Sequence, residues 1–63
     1  MQQQVTQAQV LEALRTGMAM IENKSAPRAI RAFMSMACEF LGRDVILGAM
    51  GYLDHYRPLL KYL

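Results

Sequence analysis

Residues 44–56 read DVILGAMGYLDHY, and how this stretch is covered decides the fold. It opens on Asp44, a good helix N-cap, and runs on through nine residues, Val45 to Leu53, without a charge. Wound as a helix, Ile46, Met50 and Leu53 line one face. Val45, Ala49, Tyr52 and Tyr56 line another, and Leu47 looks away from both. A helix that is apolar all round has to be buried all round. A short strand at 45–47 is disfavoured, because no other segment could pair with it.

The chain has 63 residues, which is one domain. It is 54% hydrophobic and 19% charged, a globular composition. Domains this small bury roughly 60% of their unfolded surface and are marginal alone. The usual reinforcements are disulfides, a metal or a partner. The one cysteine excludes an intrachain disulfide. One His, one Cys and five acids show no metal-ligand spacing. A partner is therefore expected, either a second copy of the chain or another protein.

Upstream of the deciding stretch, Thr6-Gln7-Ala8-Gln9 has the form of a capping box, with Val5 and Val10 spaced as a hydrophobic staple. Residues 1–5 are expected to fray. Helix 1 is predicted over 7–23, with Val10, Leu14, Gly17, Met18 and Ile21 on its inner stripe. Gly17 in that stripe suggests close approach of a neighbouring helix. Ser25 is the expected cap of helix 2, predicted over 26–41 with Pro27 in its first turn. Ile30, Phe33, Met34, Ala37, Phe40 and Leu41 form its inner stripe. Gly42 ends it in a left-handed conformation. Helix 3 is predicted over 45–56, with Gly48 and Gly51 on one side where another backbone could approach. Arg57-Pro58 ends helix 3, and residues 58–63 form an apolar tail or one more helical turn. The expected fold is all-α: a compact three-helix bundle with a short fourth C-terminal turn, most simply a homodimer with helix 3 near its two-fold axis.

Functional signals are sparse. No catalytic, cofactor-binding or metal motif stands out, and an enzyme is not expected. His55 beside Asp54 reads as a surface His near a helix C-terminus, since neighbours along a helix do not face each other. Cys38 reads as a small hydrophobe at the edge of the core. Tyr, Met and Arg are enriched at interface cores. The expected protein interface is accordingly Ile46, Met50, Leu53, Tyr56, Leu59 and Tyr62. The expected function is a small non-enzymatic module that binds a larger protein and modulates or inhibits it by occlusion. Compact, Met-rich chains of this kind suit the accessory genes of bacteria, phages and plasmids.

Two other readings compete. Lys24, Arg28 and Arg31 cluster at the start of helix 2, where a helix-turn-helix regulator would meet DNA. The formal charge of +2 is a weak bias for that role. The chain could instead be a structural subunit of a larger assembly. Met1 leads into three Gln residues with no charged start or apolar core, so no signal peptide is expected. No stretch reaches the ~20 apolar residues that span a bilayer. With a free cysteine, the expected location is the cytoplasm.

Overall fold

The capping box forms as expected. In the computed structural model, which describes residues 5–63, the Gln9 amide donates to Thr6 Oγ1 at 3.2 Å. The Thr6 amide donates back to Gln9 Oε1 at 2.9 Å. Two of the N–H groups that a helix start leaves without a partner are thus satisfied. Of the stretch expected to fray, only Val5 falls within the described residues.

Three α-helices follow: α1 Gln7–Glu22, α2 Pro27–Leu41 and α3 Arg43–Tyr52. A 3-10 segment, Asp54–Tyr62, completes the chain. There is no strand among the described residues, so the chain is all-α.

The first corner differs from expectation in one detail. Ser25 does not cap α2. Its amide donates to Met20 O at 2.9 Å, and the Lys24 amide donates to Ile21 O at 3.0 Å. These paired bonds are a Schellman motif, with Lys24 in the left-handed region at φ 59°. Ser25 is therefore committed to closing α1. Ala26 takes the cap position of α2 and offers no side-chain cap, and Pro27 takes the first helical position, where its missing N–H is no loss.

The second corner is a single residue. Gly42 closes α2 through its amide to Cys38 O at 2.9 Å, and its carbonyl accepts from Ile46 N at 3.1 Å to open α3. Its φ of 99° suits a residue without a side chain. α3 therefore starts earlier than expected. Asp44, predicted as the cap, lies inside its first turn, where an acid complements the helix dipole.

α3 also ends early. Leu53 leaves the helical region at φ −112°, ψ 82°, although its amide still reaches Ala49 O at 2.9 Å. The reason lies in Tyr56. An unbroken α-helix would stack Tyr56 over Tyr52, and Tyr52 is 91% exposed. The break changes the pitch to three residues per turn, opening with Tyr56 N to Leu53 O at 2.9 Å. Every third side chain then shares a face. Tyr56 and Leu59 are buried and Tyr62 is half-buried, while Asp54, His55, Arg57, Pro58, Leu60 and Lys61 are exposed.

The core draws two large side chains from each element: Val10 and Leu14, Ile30 and Met34, Ile46 and Met50, Tyr56 and Leu59. No polar or charged residue is buried among the described residues. Phe40, expected in this core, is 76% exposed. It lies on the rim of a shallow groove between α1 and α2, opposite Gln9, Glu12 and Thr16, which give it no apolar cover.

Gly17 bears out the expected close approach. A Cβ built there would sit 2.9 Å from Leu59 Cδ2 and 3.0 Å from Met34 Sδ. Both neighbours are fully buried and have little room to yield. At Gly48 and Gly51, by contrast, an added Cβ meets nothing within 4 Å.

These glycines should respond in opposite directions. Gly17→Ala should lower unfolding stability by about 1 kcal/mol, crowding outweighing the gain in helix propensity. Gly48→Ala should raise it by about 0.5–1 kcal/mol. Urea unfolding of the two variants beside the parent measures both, and the same sign for both would contradict the packing described.

Candidate interaction surface

The six residues expected to face a partner divide once the chain folds. Ile46, Met50, Tyr56 and Leu59 lie inside the chain's own core. Leu53, which is 36% exposed, and part of Tyr62 stay accessible at the surface. The apolar character read from residues 44–56 is real, but part of it is covered intramolecularly, by α1, α2 and the returning 3-10 segment.

What stays open is the second face of α3. Val45 and Tyr52 are exposed and Ala49 is half-buried. α1 runs alongside and contributes Val10 and Leu11, Val5 joins from just before it, and between the two helices lies a groove of about 420 Å³. Its lining residues with polar groups are Thr6, Gln7 and Tyr52, and no charged side chain among the described residues borders it. Tyr52 and Leu53 stand at the end where α3 breaks. The same break that buries Tyr56 therefore leaves Tyr52 without an intramolecular neighbour one turn on. An apolar, uncharged trough between two helices can take the apolar side of another helix.

Of the residues that line this groove, the expected interface includes only Leu53. Val45, Ala49 and Tyr52 were legible as one face of helix 3. Tyr56 joins them only in a continuous α-helix, and α3 ends at Tyr52. The contribution of Val5 and Leu11 had no local signal, since it depends on how α1 lies beside α3.

The remaining candidates are dispersed. Lys24, Arg28 and Arg31 are exposed, Lys24 on the corner and both arginines on α2. His55 is exposed, with its ring edge-on to Tyr56 at a centroid distance of 5.0 Å and an interplanar angle of 76°. Cys38 is a half-buried free thiol on α2. No three His, Cys, Asp or Glu side chains gather into a metal-binding group among the described residues. No helix among them is long and apolar enough to cross a membrane.

The two tyrosines give a direct check of which face is open. Tyr56→Ala should cost about 3 kcal/mol of unfolding stability through loss of a buried aromatic. Tyr52→Ala should stay within about 0.5 kcal/mol of the parent, as surface substitutions do. Thermal unfolding followed by circular dichroism measures both, and a larger loss for Tyr52→Ala would invert the assignment of faces.

No family model, curated protein or solved structure matches the chain at a significant level.

Proposed function

We propose that this chain is a small non-enzymatic interaction module that docks on a larger protein and modulates it by occlusion. The observation that carries the reading is the uncharged groove between α1 and α3, with Tyr52 standing 91% exposed on its edge. A large, rigid aromatic beside an apolar trough is the usual make-up of a binding hot spot. Because no charged side chain among the described residues borders the groove, the occupant it favours is the apolar face of a helix, not an acidic or basic segment. Val45 and Leu53 supply further anchors along the same side. In this reading Ile46, Met50, Tyr56 and Leu59 act indirectly, by holding α3 against the core so that Tyr52 is presented on a rigid base.

Affinity capture from the native host with wild-type, Tyr52→Ala and Phe40→Ala chains tests the reading. A target retained by wild type and Phe40→Ala should bind Tyr52→Ala more weakly by about 2 kcal/mol or more. Loss with Phe40→Ala and full retention with Tyr52→Ala would place the binding face elsewhere. A chain held on heparin at physiological salt and released by Arg28→Ala or Arg31→Ala would point to nucleic acid instead.

A further inference from the structure

The outer face of α2 is not used by the groove, and its exposed residues repeat in a symmetric order. Arg28, Ala32, Ser35 and Glu39 are spaced four, three and four residues apart, which sets them in one stripe along the helix. All four are exposed. A basic residue begins the stripe, an acidic residue ends it and two small residues lie between, with Arg31 exposed along one edge. Turned end for end, the stripe complements itself.

We infer that this face binds a second copy of the chain, with the two α2 helices antiparallel and the two-fold axis level with the midpoint of Phe33 and Met34. That register sets Arg28 opposite Glu39 of the second copy, twice by symmetry, and Ala32 opposite Ser35 of the second copy. Opposite charges meet at both ends, and small side chains at the centre let the helices approach. A parallel arrangement would set like charges side by side.

The apolar residues beside the stripe fit the same register. Met36 and Phe40 are one turn apart on one side of it, and both are exposed, 48% and 76%. Ala29 of the second copy falls midway between them along the axis, so a small side chain meets the gap between two large ones. This contact adds cover to Phe40, which the described residues of its own chain leave mostly exposed.

The contact is small. α2 has 15 residues, about 22 Å of helix, so the area falls below the roughly 800 Å² per partner of a standard interface. The dimer is thus a weak one that forms with rising concentration, and salt weakens it by screening the end pairs. It leaves the groove between α1 and α3 free on each copy, so Glu39→Arg reports on this contact and Tyr52→Ala on the groove.

The test is the solution mass of the full chain by sedimentation equilibrium, from micromolar to about 1 mM at low salt, a range that brackets weak association. The parent should move from one chain to two. Arg28→Glu and Glu39→Arg should each weaken the dimer about tenfold or more, since each reversal acts at two symmetric pairs. The double variant Arg28→Glu/Glu39→Arg restores opposite charges and should recover to within about threefold of the parent. All the substituted positions are exposed, and circular dichroism of each variant verifies the fold. A parent monomeric throughout would overturn the inference. So would single reversals without effect, a double variant that does not recover, or a dimer lost on Tyr52→Ala and kept in the charge variants.

Discussion

The structure depends on one three-way contact: Leu59 set against the bare backbone of Gly17, with Met34 alongside. Leu59 is fully buried, and its position requires that α1 carry no side chain where the two meet. The glycine lowers the intrinsic helix propensity of α1. In return, the 3-10 segment comes close enough for one leucine to join α1, α2 and α3 into a single core. Fully burying a leucine contributes about 1.5–3 kcal/mol, a large share of the total for a domain of this size.

This contact answers the question set by the apolar stretch at 44–56. A helix apolar on all sides needs cover, and the chain supplies cover for one side only. Ile46 and Met50 turn inward, and the change of pitch at Leu53 brings Tyr56 and Leu59 over them. The other side of α3 keeps Val45 and Tyr52 in the open, and α2 keeps Met36 and Phe40. A 63-residue chain has enough material to close one core and not enough to cover every apolar face. The two uncovered faces lie on different sides of the bundle. The proposals for a protein target and for a second copy draw on one each.

Much of the fold was legible in the sequence because its signals are local. The Thr6–Gln9 capping box, the inner stripes of α1 and α2, the stop at Gly42 and the tolerance of Pro27 each depend on residues a few positions apart. The mistakes come where local signals compete. Ser25 and Asp44 are good caps by type, but the chain takes tighter corners, a Schellman motif and a one-residue glycine junction, that leave both off the cap position. Phe40 matches the helical period of the core, yet the polar residues opposite it on α1 do not cover it. The sharpest case is Tyr56. Read at the α-helical period it joins Val45, Ala49 and Tyr52. Read at three residues per turn it joins Leu53, Leu59 and Tyr62. Both periods are present in the sequence, and the second is the one that buries Tyr56 together with Leu59. The open groove could not be read at all from one segment, since its walls come from chain positions some forty residues apart.

The measurement that bears most directly on this account is the urea unfolding of Leu59→Ala. If Leu59 joins the elements as described, the variant should lose about 3 kcal/mol or more, or its cooperative transition altogether. A sharp transition within about 0.5 kcal/mol of the parent would mean that the three helices hold together without the C-terminal segment, and the account would fail.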